Sequence, residues 1–80
     1  MTKLDLKGLK CPLPALLTRK ALKRMQPGER LEVHCTDPMA VIDIPVAVLQ
    51  SGDGIDSSAR DGEVMIFVIS KRNQSIGNLD

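Results

Sequence analysis

Val64-Met65-Ile66-Phe67-Val68-Ile69 is an unbroken run of six apolar residues. A strand with no polar residue in its alternation is covered from both sides, so this segment is expected at the centre of a sheet rather than at its edge. With 80 residues, the chain has room for one domain, close to the size at which a single core just outweighs chain entropy. The other elements must therefore assemble around that strand. Phe67 is the only aromatic residue, so the core has to be aliphatic. A deep enclosed active site is not expected, and the aromatic platforms on which RNA bases stack are missing.

The remaining elements follow from periodicity. Leu4-Asp5-Leu6-Lys7 alternates as a half-buried strand does, and Gly8 ends it. Pro12 to Met25 is rich in helix formers, with a stop at Gln26-Pro27-Gly28. Arg30 to Thr36 alternates again, with Leu31, Val33 and Cys35 on one face and Glu32 and His34 on the other. Asp37-Pro38 suits a helix start, but Asp43-Ile44-Pro45 repeats the signal, which predicts a short turn followed by a main helix from about Asp43 to Ser51, closed by Gly52. Ile55 to Ala59 reads as a short strand and Arg60-Asp61-Gly62-Glu63 as a hairpin turn. From Lys71 the periodicity is lost. The domain is expected over residues 1–72 and a disordered tail over 73–80. The order β-α-β-α-β-β predicts an α/β (α+β) two-layer sandwich, with two helices on one face of a four-stranded sheet.

No apolar run approaches the ~20 residues that cross a bilayer, and the first residues lack a signal-like apolar stretch. A cytoplasmic protein with no membrane association is expected, with its two cysteines, Cys11 and Cys35, as free thiols. The net charge of +1 conceals an asymmetry. Residues 1–25 carry seven bases (Lys3, Lys7, Lys10, Arg19, Lys20, Lys23, Arg24) against Asp5 alone, a net +6, and the rest of the chain carries the balancing −5. Cys11 lies in the basic part.

Gly8-Leu9-Lys10-Cys11-Pro12-Leu13-Pro14 carries the chemistry. With Pro12 as the first helical residue, Cys11 becomes the N-cap and its sulfur sits beside free backbone N–H groups. Pro12 and Pro14 restrict the backbone around it. Helix terminus and neighbouring cations both favour a thiolate, with no general base needed. Cys35, by parity with Leu31 and Val33, is expected to be buried. Cys11, His34 and Cys35 do not form a metal set, because adjacent strand residues face opposite ways and a fourth ligand is lacking. On a helical wheel Pro14, Leu17, Thr18, Ala21, Leu22 and Met25 share the inward side. Leu13, Leu16, Arg19, Lys20, Lys23 and Arg24 fall largely outward and form a candidate docking patch beside the thiol.

These residues match a family pattern: Leu4-Asp5, Gly8 to Pro14 as Gly-Leu-x-Cys-Pro-x-Pro, Met25 to Glu29, Thr36-Asp37-Pro38 and Asp43-Ile44-Pro45. From Leu4 to Lys71 the chain resembles the TusA/SirA family. That resemblance implies strand order 1-2-4-3 in a mixed sheet, as in the C-terminal domain of a translation initiation factor. It further implies a sulfur carrier whose Cys11 takes sulfane sulfur as a persulfide, supported by Pro12, Leu13 and Pro14. The implied donor is a cysteine desulfurase or rhodanese-like protein, and the recipient a downstream acceptor protein. Family destinations are tRNA thiolation, sulfur oxidation and cofactor assembly. The implied protein is a sulfurtransferase-like carrier working with partner enzymes rather than an autonomous catalyst. It needs no cofactor or metal, makes no direct nucleic-acid contact and is a monomer when free. The competing reading is a small RNA-binding or regulatory interaction module that uses the basic first helix, which the lack of aromatics and the acidic second half disfavour.

Overall fold

The computed structural model describes residues 2–72. Its elements are β1 (Thr2–Leu6), α1 (Leu13–Lys23), β2 (Arg30–Cys35), α2 (Ala40–Gln50), β3 (Gly54–Asp61) and β4 (Val64–Ser70). They form the expected β-α-β-α-β-β order, and the sheet runs β1-β2-β4-β3. The apolar run thus lies inside the sheet, antiparallel to β2 on one side and to β3 on the other. Phe67 and Ile69 point into the core, while Ile66 and Val68 on the opposite face are only half-buried. Centrality rather than a second layer accounts for the missing alternation: Glu32 and His34 of β2 flank Val68 and Ile66 on that open face, with Ser57 and Ala59 of β3 beyond.

β1 and β2 are parallel, with Leu4 opposite Val33 and Leu6 opposite Cys35. A parallel pair needs a crossover, which α1 supplies. Leu31, Val33 and Cys35 are fully buried, as their parity requires. Pro14, Thr18 and Leu22 place one stripe of α1 inside, and the Thr18 hydroxyl satisfies itself by donating to the Pro14 carbonyl at 2.7 Å. Ala40, Ile44, Ala47 and Val48 do the same for α2. Each large aliphatic side chain taken wholly from water, such as Leu22, Leu31, Ile44 or Ile69, contributes about 1.5–3 kcal/mol.

Several boundaries differ from expectation. α2 starts at Ala40, three residues before Asp43, and Pro45 lies inside it. The first start signal governs: the Asp37 carbonyl accepts the Ala40 N–H at 2.9 Å, and the Asp37 side chain accepts the Met39 N–H at 3.3 Å. The buried 40-44-47-48 stripe outweighs the one helical bond that Pro45 cannot make. β3 extends to Asp61, which leaves Gly62-Glu63 as a two-residue turn with Gly62 at φ +63°. The strand is irregular between Ile55 and Ser57. Residues 73–80, the expected tail, lie outside the described residues. Lys71 and Arg72 are anchored: the Lys71 N–H donates to the Glu29 carbonyl at 2.8 Å and the Arg72 N–H to Asp53 Oδ1 at 3.0 Å.

Candidate functional site

Because β1 and β2 run the same way and end side by side at Leu6 and Cys35, the loops that follow them emerge together. This carboxyl end of parallel strands is where open α/β sheets place ligands. The loop after β1 carries Cys11, and the loop after β2 holds it in place. The Gly8 N–H donates to Thr36 Oγ1 at 2.9 Å, from a turn in which Gly8 has φ +85°. The Cys11 N–H donates to Asp37 Oδ2 at 2.6 Å. Cys11 itself is exposed, and its Sγ donates to Asp43 Oδ2, on the first turn of α2, at 2.8 Å.

The helix does not begin where the sequence suggested. α1 starts at Leu13 with Pro12 in the N-cap position and no side-chain cap. Cys11 is therefore one residue outside the cap. The Leu13 N–H, which would have been the nearest donor to the sulfur, is taken by the Lys10 carbonyl at 2.9 Å. The electrostatics differ accordingly. The thiol pKa is raised above its ordinary value, first by the hydrogen bond to Asp43, then by desolvation, then by the charges of Asp43 and Asp37. The expected stabilisation of thiolate by the helix terminus and basic segment gives way to two carboxylates at contact range, where Coulomb interactions are strongest.

Cys11 opens onto a groove of about 330 Å³ between the helices, walled by Pro12, Leu16 and Arg19 of one arm and Asp43, Val46 and Gln50 of the other. Of the predicted docking residues, Leu13 and Leu16 are about half exposed (46% and 53%), and Arg19 lies in this groove. Lys20 and Arg24 face a different one, with Leu4 and Leu17 on the β1 side of α1. Lys23 is exposed. The patch is thus divided, with Leu16 and Arg19 in the groove of the thiol, Leu13 exposed outside its lining, and Lys20 and Arg24 round the flank.

Sequence reasoning missed two features. Asp37 and Asp43 stand in the sequence as helix-start signals, yet both carboxylates bond to Cys11. Met39 at the N-cap of α2 and Ile42, Val46 and Leu49 within it form an exposed stripe, up to 69% accessible at Leu49. Their 3-4-3 spacing was legible in the sequence as a second apolar face. Cys35 is wholly buried, with its pKa raised first by burial. His34 is on the open sheet face, with Nε2 2.5 Å from Glu32 Oε2, so the structure brings neither residue to Cys11.

The model of the family described as Sulfurtransferase TusA matches residues 2–71. The chain is 40% identical over 68 residues to the sulfur carrier protein TusA of Allochromatium vinosum, covering 85% of this chain and 90% of that protein. It is 37% identical over 68 residues to YrkI of Bacillus subtilis, covering 85% and 91%. In fold it is similar to a SirA-like protein of Desulfitobacterium hafniense, with a TM-score of 0.77 at 20% identity over 91% of this chain and 100% of that one.

Proposed function

The chain belongs to the TusA family of sulfur carrier proteins, and we propose that Cys11 is its sulfur-bearing residue, taking sulfane sulfur as a persulfide and relaying it to an acceptor protein. The observation that carries this is the exposed Sγ, fixed on the Cys-Pro-Leu-Pro loop at the mouth of the groove between the helices. A sulfur attached there projects towards a partner without any part of the fold having to open. The donor has the chemistry of a cysteine desulfurase or rhodanese-like protein. The acceptor belongs to a pathway such as tRNA thiolation, sulfur oxidation or cofactor assembly, in the cytoplasm. Among the described residues no helix is long and apolar enough to cross a membrane.

Pro12 and Pro14 hold the loop, and Leu13 with Leu16 flanks the thiol. Val46 of the α2 stripe lines the same groove as Leu16. Apart from Asp43 and Gln50, that helix is apolar on its inner and outer sides alike, which suits a helix to be covered on both. Docking then uses Leu13, Leu16 and α2 as apolar anchors and Arg19, Lys20, Lys23 and Arg24 as positive groups beside and around them. The test is mass spectrometry after incubation with a desulfurase and cysteine. Cys11 should gain one sulfur atom, removable by reductant, and a mass gain that persists in Cys11→Ser would overturn the assignment.

A further inference from the structure

The Asp43 carboxylate has a single described partner. Among the described residues it makes no side-chain hydrogen bond or ion pair except the one it accepts from Cys11 Sγ at 2.8 Å. Asp37, the other carboxylate at the site, is committed to the backbone, with Oδ2 taking the Cys11 N–H at 2.6 Å and Oδ1 the Met39 N–H at 3.3 Å. One aspartate thus shapes the loop and the other faces the reacting atom. The hydrogen bond to Asp43, then desolvation and the charges of the two carboxylates, raise the thiol pKa further above its ordinary value, and a protonated thiol is a poor nucleophile. A carrier built this way must dispose of a proton each time it takes up sulfur.

We infer that Asp43 is the proton acceptor for Cys11 when sulfur is loaded and the proton donor to Cys11 when sulfur leaves. The inference deepens the proposed function and rests on Cys11 being the sulfur site. In loading, Cys11 Sγ–H meets a donor persulfide, R–S–S–H. Sγ attacks the outer sulfur as its proton passes to Asp43 Oδ2, the donor S–S bond breaks, and its electron pair leaves on R–S⁻. The products are Cys11–S–S–H, R–S⁻ and a neutral Asp43 carboxyl. In unloading, an acceptor thiolate attacks the outer sulfur. The new Sγ–S bond breaks, its electron pair returns to Sγ, and Asp43 gives its proton back. A sulfane sulfur moves between thiols with no net oxidation, and the charge of −1 is conserved in each step. The S–S bond, about 2 Å long, carries the outer sulfur beyond the Sγ–Asp43 contact and into the open groove. Besides Asp37, the charged groups near the pair are Arg19, which shares the groove, and the exposed Lys10 that precedes the cysteine.

The test uses glutathione persulfide as donor and follows initial loading of the whole chain, in a Cys35→Ser background, from about pH 6 to about pH 9. The donor persulfide ionises over the same range and scales every variant alike, so the readout is the rate of Asp43→Asn relative to wild type. In Asp43→Asn the thiol should titrate lower, yet with Asp43 as acceptor in wild type that ratio should fall about tenfold per pH unit below the thiol pKa, because only free thiolate reacts in the variant. Asp43→Asn should then be slower than wild type at about pH 6 although more of its Cys11 is ionised. Asp43→Glu, which keeps the carboxylate on a longer arm, should restore the wild-type profile. If Asp43→Asn loads in proportion to its larger thiolate fraction and overtakes wild type, Asp43 merely holds the resting thiol and the inference is overturned. If wild type acquires no sulfur at all, the assignment of Cys11 fails with it, so the two failures are distinguishable.

Discussion

The two cysteines of this chain both have thiols that resist ionisation, for opposite reasons. Cys35 is sealed among Leu6, Val33 and Met65, and burial is the first cause of its raised pKa. Cys11 stands at the surface, and the first cause there is a hydrogen bond to one carboxylate. Burial is a property of the whole core and can be altered only by damaging it. A single hydrogen bond can be removed by one substitution or broken when a sulfur atom is added. The difference separates a thiol used as a packing group from one used as a reagent.

The largest expected effect asks whether that separation is absolute. Cys11→Ser should abolish sulfur loading from a desulfurase, and Cys35→Ser should leave it intact, as read from the intact mass before and after reductant. The next effect reverses the ranking. Cys35→Ser places a hydroxyl in the core at a cost of about 1–3 kcal/mol, whereas Cys11→Ser at an exposed position should change stability by less than about 0.5 kcal/mol. Urea unfolding midpoints measure both. A Cys35→Ser chain as stable as wild type would mean that the strand parity says less about packing than the fold suggests.

A smaller effect lies in the pH dependence. In the folded chain both thiol pKa values are above their unfolded ones. The protonated form is thus favoured by folding, and the contribution is complete below the unfolded thiol pKa and lost as pH rises through the folded one. Stability should therefore decline on the alkaline side, and Cys35→Ser should remove its share of the decline. Titration of thiolate absorbance in Cys35→Ser should place Cys11 above the ordinary value, and Asp43→Asn should lower it. A Cys11 pKa below the ordinary value would restore the helix terminus as the dominant influence and break the contrast between the two sites.

Most of the fold was legible because it is written in local periods. The alternation of Arg30 to Cys35 fixed which face is buried, and the apolar run ending at Ile69 fixed which strand is central. The start of α2 was not, because two Asp-x-Pro or Asp-Pro signals compete locally and only packing of Ala40 and Ile44 decides between them. At the site, Cys11 itself was legible from its prolines, while its electrostatics were not. The residues that set them are 26 and 32 positions away, and a cap aspartate in sequence gives no sign that its carboxylate will face a cysteine brought in by a parallel crossover.

The smallest expected effects concern what Cys11 lacks and Cys35 has, namely an enclosure. The core supplies it for Cys35, and for Cys11 a partner must supply it at the moment of transfer. The apolar surface available is Leu13 and Leu16 on α1 with Val46 and Leu49 on α2, each about half exposed or more. Buried apolar anchors act mainly on dissociation and rim charges on association and its salt dependence. Leu16→Ala with Val46→Ala should therefore speed release from the donor enzyme by roughly tenfold, about 1.4 kcal/mol. Lys20, Lys23 and Arg24 replaced by Glu should slow association by a smaller factor and flatten its salt dependence. Both variants should still load from glutathione persulfide, because Cys11, Asp37 and Asp43 are untouched. Binding kinetics at two salt concentrations, beside a thermal melt, measure the outcome. If release is unchanged in the α1–α2 variant, the partner covers a different surface. The open sheet face around His34, Ile66 and Val68 would then be the next to test, and the enclosure of Cys11 would have to come from the partner alone.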